Sequence, residues 1–348
     1  MMGSRGAVAT SQPLAVAAGM EMFYLGGNAV DAAIATAIAL TVVEPTSNGI
    51  GSDAFAIVWD GKIHGLNGSG KSPQHLTLSD FAEFTEVPER GWHSVTVPGA
   101  VSAWRALWER WGKLPFETLF IPAIRYAELG FPVAPVTSIL WKAAESIFLP
   151  LAGVEFEPFK KVFFPKNRAP AAGEIWASQL HAETLREIAA TGGESFYRDA
   201  LAQSMVEFAN ATGGYLNLND LATHQAEWVA PISTNYRGLT VWEIGSFGVM
   251  GAAMQPQGHL QVVTNMADYD MNPQAALDAP RWRFNIGSQV FLEPSVPQLI
   301  AQQLSARGHD VQYSSNIGLF GRGQIICKHN GVFIAASDYR ADGLASVW

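Results

Sequence analysis

The sequence predicts an α+β protein in which helices pack on antiparallel sheets. Two hairpin signals carry this reading. Asp60-Gly61 joins the apolar runs 54–59 and 62–66, and Asn330-Gly331 joins 324–328 and 332–336. Asn-Gly and Asp-Gly pairs adopt the left-handed backbone that a two-residue type I′ turn requires. Between them lie many helical segments and few long strand–helix–strand alternations. Neither a repeat of fixed period nor a clear linker is visible, so residues 1–348 read as one integrated domain.

In chain order, residues 6–10 form a short apolar strand. A helix over 13–25 ends at Gly26-Gly27, a favourable stop. Asn28 caps the next helix, 29–43, whose apolar character on most sides predicts burial. Glu44-Pro45 ends it, and a loop leads to the first hairpin. A helix over 98–111 carries Val101, Trp104, Trp108 and Trp111 at helical spacing, a stripe read as core. Segments 116–129 and 135–147 are helical. Four prolines and several aromatics break the pattern over 148–170, which reads as a lid-like excursion or a surface connection. Helices follow over 182–190 and 195–211, then strand and loop over 228–244. An apolar-periodic segment covers 257–266, strands 282–286 and 290–293 meet through Gly287, and a helix over 296–307 closes at Gly308.

Hydrophobic residues make up 48% of the 348 residues and charged ones 15%, enough apolar surface for a large core. The formal net charge of −9 argues against nucleic acid as a partner. The single cysteine, Cys327, excludes an intramolecular disulfide and sits in an apolar run as a buried, inert thiol. The run 29–43 is too short to cross a bilayer and is interrupted by Asp31. A cytoplasmic location is the default expectation, a secreted one following only if a signal peptide has been removed.

The most specific short motif is Gly65-Leu66-Asn67-Gly68-Ser69-Gly70-Lys71-Ser72, which satisfies the phosphate-loop pattern at every fixed position. That chemistry needs a helix immediately after the loop. Pro73-Gln74-His75-Leu76 offers none, so nucleotide binding is the weakest functional alternative. Gly49-Ile50-Gly51-Ser52-Asp53-Ala54 mimics a dinucleotide fingerprint but runs from helix to strand, the reverse of the required order. The eight histidines are scattered, no H-E-x-x-H or G-x-S-x-G occurs, and each lone histidine reads as a surface or satisfied residue. Gly248-Val249-Met250-Gly251 begins a stretch whose bare backbone suits either a tight turn or N–H groups facing a developing oxyanion.

Several stretches together resemble the γ-glutamyltranspeptidases. Ala7 to Leu14, Gly26-Gly27-Asn28-Ala29-Val30-Asp31-Ala32-Ala33, Val43-Glu44-Pro45 and Gly49 to Asp53 resemble the start of the large subunit. Val97-Pro98-Gly99-Ala100 and Asn217-Leu218-Asn219-Asp220-Leu221 are similar to its later parts, and Gly248 to Arg283 with Ala336-Ser337-Asp338 to the C-terminal half of the small subunit. The resemblance implies an αββα sandwich of the N-terminal-nucleophile hydrolase type, with 1–244 large-subunit-like and 245–348 small-subunit-like. It implies self-cleavage that frees a threonine whose own amine activates its hydroxyl. No metal or organic cofactor is implied, and the partner is a small-molecule amide. Membranes are not expected as partners, and a homo-oligomer is left open.

Two departures qualify what the resemblance implies. Ile244 runs directly into Gly245, which matches a much later family position, and no family-like threonine is found between them: the sequence reads as spliced, truncated internally or missing residues from its record, which leaves an incomplete fold as one expectation. Thr240 and Thr264 do not match that threonine's motif. Ser69 stands where γ-glutamyl enzymes carry a carboxylate-binding arginine, and serine cannot make a bidentate charged pair. Asn67, Ser69 and Lys71 are then the substrate-binding candidates, with Lys71 offering a single charge, and the chain is more similar to acylase-like, small-amide hydrolases. The oxyanion pair maps to Gly251 and Ala252. The rival expectation is a catalytically inactive remnant that binds or interacts.

Overall fold

The structure, a computed structural model, describes residues 1–244 and 254–348. The chain forms two compact units. Of the described residues, one comprises 17–234 and 242–244, the other 1–16, 235–241 and 254–348.

The larger unit is mainly helical around a three-stranded sheet, with a short antiparallel pair, Phe131–Pro132 and Ile175–Trp176, beside its helices. Its helix Ala29–Val43 begins with Asn28, whose Oδ1 accepts from the N–H groups of Val30 and Asp31, while Asp31 Oδ2 accepts from Asn28 N–H. This reciprocal box satisfies donors that the first helical turn leaves orphaned. Asp31 does more than cap. It is fully buried and also accepts from Lys113 N–H and Leu114 N–H, while Asn28 Nδ2 donates to the Trp111 carbonyl at 2.6 Å. Gly27 is held close against Leu114, Met22 and Asp31, where a Cβ would approach each within 3.0 Å. The stretch Gly27–Asp31 is therefore a joint between two helices.

The sheet has three antiparallel strands, Ala54–Trp59, Ile63–Gly68 and Glu227–Val229, in spatial order. Helix Ala100–Trp111 packs on it, with Val101 and Trp104 buried as the stripe predicts and Trp108 and Trp111 half-buried. Three expectations need correction. The segment 195–211 is two helices, Glu194–Tyr197 and Ala200–Thr212, because the chain turns at Arg198-Asp199 and buries Tyr197. Segment 116–129 opens as a 3₁₀ turn, Phe116–Phe120, before helix Ile121–Leu129, whose Pro122 sits in the first turn where a missing N–H costs nothing. The proline-rich 148–170 contains helix Glu157–Phe163, pinned by rings: Phe163 stacks on Trp176 at 6.0 Å and tilts against Trp141.

The smaller unit holds the sheet Met2–Gly3, Val332–Ser337 and Gln324–His329, antiparallel throughout. Asn330 and Gly331 have φ of 49° and 80°, the left-handed pair expected of its turn. Ala7–Thr10 pairs with Leu344–Val347. In the third sheet Gln289–Leu292 is antiparallel to Trp282–Phe284 but parallel to Asp310–Tyr313, so the expectation of antiparallel pairing fails there. Helix Gln298–Ala306 supplies the crossover that a parallel pair needs. Cys327 is half-buried rather than buried, and desolvation raises its thiol pKa, which disfavours the thiolate form.

Candidate functional site

The substrate-binding candidates fall on one turn of the larger unit. Asn67 lies on strand Ile63–Gly68, and its Oδ1 accepts from Ser69 N–H at 2.8 Å. Gly70 N–H donates to Asp53 Oδ1 at 3.1 Å, and Val97 N–H donates to the Lys71 carbonyl at 3.0 Å. Ser69 is half-buried and Lys71 exposed. The turn thus uses Asn67 to shape itself and leaves Lys71 exposed to solvent.

Its glycines interlock with the segment before helix Ala100–Trp111. A Cβ on Gly70 would stand 1.6 Å from the Val97 carbonyl oxygen, and one on Gly99 would stand 1.8 Å from that of Gly68. Both overlaps are with backbone, which cannot swing away. Gly70 therefore serves backbone–backbone contact, and no helix follows Lys71 before the 3₁₀ turn Leu78–Phe81, so the geometry of a phosphate loop is not built.

A second layer fixes this corner. The Ser52 carbonyl accepts from Gly99 N–H and Ala100 N–H. The Tyr197 hydroxyl donates to the Pro98 carbonyl at 2.8 Å and accepts from Ser102 N–H at 3.0 Å. His224 stacks on Tyr197 with ring centroids 5.5 Å apart. It is 7% exposed, and its Nε2 has no hydrogen-bond partner among the described residues. A Cβ on Gly99 would lie 3.2 Å from that nitrogen, so His224 closes over the Gly68–Gly99 contact. Burial pushes its pKa down and the Lys71 charge adds to this, against an opposing contribution from Glu227. Burial pushes the Asp53 carboxyl up, opposed by the Gly70 N–H. Downstream, Asp220 caps Leu218–Ala222 and its Oδ1 accepts from Gln74 N–H at 3.0 Å, tying Asn217–Leu221 to the same turn.

In sequence Asp53 was only a loop residue, while Tyr197 and His224 carried no signal, because their contacts join residues some hundred positions apart. His224, buried and with Nε2 unpartnered among the described residues, is the exception to the reading of each histidine as a surface or satisfied residue.

Neither threonine beside the seam is poised as a nucleophile. Thr264 Oγ1 donates to the Leu260 and Gln261 carbonyls inside helix Met254–Asp268, and Thr240 Oγ1 donates to Asn235 Oδ1. Gly251 and Ala252 lie outside the described residues. Among the described residues no group of three or more His, Cys, Asp or Glu could hold a metal, and no helix is long and apolar enough to cross a membrane.

The smaller unit carries the stretch Ala336-Ser337-Asp338 on a buried charge network. Asp338 Oδ2 accepts from Arg281 Nη2 at 2.7 Å and from Gly323 N–H, and its Oδ1 accepts from Arg340 Nη1 at 3.0 Å. Glu293 takes both Arg340 Nε and Nη2 and the Arg281 N–H. Spare arginine donors reach the carbonyls of Leu277, Ala279, Phe320 and Gly321. All four residues are at most 4% exposed, and their charges cancel.

Against known proteins, a family model described as Gamma-glutamyltranspeptidase matches residues 15–247 and 244–348, two pieces that meet at the Ile244–Gly245 seam. The chain is 33% identical over 247 residues to the glutathione hydrolase-like YwrD proenzyme of Bacillus subtilis, covering 70% of this chain and 46% of that one. It is 34% identical over 254 residues to the Acylase ACY 1 proenzyme of Pseudomonas sp. (strain SE83), covering 69% and 44%. The chain thus spans about half the length of the curated relatives it matches. A crystal structure of cephalosporin acylase from Bacillus halodurans superposes with a TM-score of 0.95 at 35% identity, over 100% of this chain and 96% of that one. The γ-glutamyltranspeptidase of Helicobacter pylori gives 0.65 at 27%, over 76% and 75%. The helices and antiparallel hairpins predicted from the sequence are those of this fold, and the chain belongs to the gamma-glutamyltranspeptidase family of N-terminal-nucleophile hydrolases and acylases.

Proposed function

We propose that this chain provides the substrate-facing wall of an amide hydrolase or acyltransferase that cleaves itself when intact and is not restricted to γ-glutamyl groups. The observation that carries this is the turn 67–71. It is held rigidly by Asp53, Val97 and Gly99, and it presents Ser69 and Lys71 where a γ-glutamyl enzyme would present arginine. A hydroxyl and one ammonium favour a small acyl group with a single acceptor or carboxylate over an α-amino acid end that needs a fork of donors. The relatives named as proenzymes support self-processing, and the acylases among them support the broader acyl range. Gly251 and Ala252 supply the oxyanion N–H groups in this reading. A cytoplasmic setting is the default in this reading.

The native gene product, run on a denaturing gel and assayed against a γ-glutamyl anilide and simple acyl anilides, tests this. Two fragments and preference for the simple acyl group are expected. One uncut chain that hydrolyses neither would establish the alternative favoured by the bonded state of Thr240 and Thr264, an inactive binding remnant. The encoding DNA across Ile244–Gly245 locates the cause: a threonine-bearing segment there restores the enzyme.

A further inference from the structure

The proline-rich stretch 148–170 takes no part in the substrate corner, yet it builds one wall of a cavity. Its helix Glu157–Phe163 and the helix Gln179–Ala190 enclose about 270 Å³ within the larger unit. The walls follow helical spacing, with Phe159, Val162 and Phe163 from the first helix and Leu180, His181 and Thr184 from the second. The back is fixed: Phe163 stacks on Trp176, and its carbonyl accepts from Trp141 Nε1 at 3.1 Å. Leu180, 59% exposed, stands at the mouth.

No charged side chain lines this cavity, so a charged occupant would give up hydration for nothing. Its free polar groups reduce to one. Thr184 Oγ1 is spent on the Leu180 carbonyl at 2.8 Å, and His181 Nδ1 on Ser178 Oγ at 2.9 Å. His181 Nε2 has no hydrogen-bond partner among the described residues, and it is not among the unpartnered atoms sealed from solvent. Burial lowers the pKa of the ring, so His181 is neutral at pH 7, and Nε2 offers a donor or an acceptor according to the tautomer. Apolar walls around a few convergent polar groups are the usual plan of a small-molecule site. A cavity of about 150 Å³ already takes up benzene, so this one has room for a ring and a substituent.

We propose that this cavity is a binding site for a small uncharged aromatic molecule carrying one hydroxyl, its ring against Phe159 and Phe163 and its hydroxyl on His181 Nε2. A hydroxyl answers either tautomer, since it both donates and accepts. The site shares no residue with the turn 67–71 or the corner at Gly99, and binding there requires no catalysis. Ile50, which also lines it, belongs to the loop whose Ser52 and Asp53 hold that corner.

Phenol, toluene and benzoate, titrated into the full chain at pH 7 and followed by calorimetry, test this. Saturable phenol binding is expected, with benzoate weaker by about tenfold or more because nothing neutralises its charge. His181→Phe keeps a ring in place and removes the hydrogen bond. It is expected to weaken phenol about tenfold and to change toluene, which lacks the hydroxyl, by less than about twofold. Val162→Trp fills the cavity and is expected to weaken phenol and toluene alike by about tenfold or more. Far-ultraviolet circular dichroism checks that each variant is folded, and the phenol-to-toluene ratio of His181→Phe decides the matter should Val162→Trp fail to fold. Absence of saturable phenol binding overturns the proposal. So does benzoate binding as tightly as phenol, an equal effect of His181→Phe on phenol and toluene, or phenol binding to a folded Val162→Trp chain with unchanged affinity.

Discussion

Two buried polar regions of this protein are built on opposite plans. Around Asp338 the smaller unit buries two arginines and two carboxylates, cancels their charges and directs their remaining donors to carbonyls, with Arg281 Nε the one donor of this network that lacks a partner among the described residues. Around Gly99 the larger unit buries an imidazole whose pKa burial lowers and leaves its Nε2 without a partner among the described residues, while the Asp53 carboxyl on the adjoining turn has its pKa pushed up. A network that is nearly complete in itself holds a fold, whereas an unfinished one marks where a further group would be useful. The difference assigns structural work to the first region and directs functional attention to the second.

Breaking the first region is expected to cost most. Asp338→Ala strips partners from both Arg281 and Arg340 and orphans Gly323 N–H, and unpairing buried charges of this kind costs about 3–5 kcal/mol. Urea unfolding measures it, and a loss below about 1 kcal/mol would show the network to be idle. Next in size is Gly99→Ala, whose methyl collides with the Gly68 carbonyl. Overpacking by one methyl predicts a loss of about 1–3 kcal/mol in the same assay.

The smallest effects sharpen the contrast through pH. Because His224 has a folded pKa below its unfolded value, the unfolded state takes up the proton first. Its contribution to stability is complete above the unfolded value and falls as acid is added down to the folded pKa. His181, also lowered by burial, acts with the same sign. His224→Phe is expected to change stability at neutral pH by less than about 1 kcal/mol, since an unpaired polar atom is replaced by an apolar one. It should flatten part of the decline below about pH 6.5. An unchanged slope in chemical unfolding between pH 5 and 7 would show that His224 does not titrate there. Asp53 works in the opposite direction. Its folded pKa is raised, so it costs stability above that value and relieves the cost as acid protonates it. Asp53→Asn keeps an acceptor for Gly70 N–H and is expected to stabilise the protein slightly at pH 7, with the gain vanishing near pH 4 in the same titration.

What was legible in the sequence was local. Asn28 and Asp31 sit three apart and build the cap that spacing predicts, and Asn330-Gly331 makes the turn its φ preferences require. The turn 67–71 could be placed because its glycines and lysine are contiguous. Nothing contiguous linked Tyr197 to Pro98 or His224 to Gly99, and Asp310–Tyr313 found a parallel neighbour through a helix that gives no hint of its partner. The break at Arg198-Asp199 was hidden because Ser195, Phe196 and Tyr197 continue the helical pattern while serving a different contact.

The joint at Gly27–Asp31 has a consequence for how such chains are recognised. Asp31 is spent on the backbones of Asn28, Lys113 and Leu114, and Gly27 on a close approach, so none of the most diagnostic residues of this sequence has any part left for chemistry. Such a signature answers to the demands of assembly and carries no information on whether a reaction takes place. It records descent, while the record of activity has to be sought in the residues that assembly leaves unfinished.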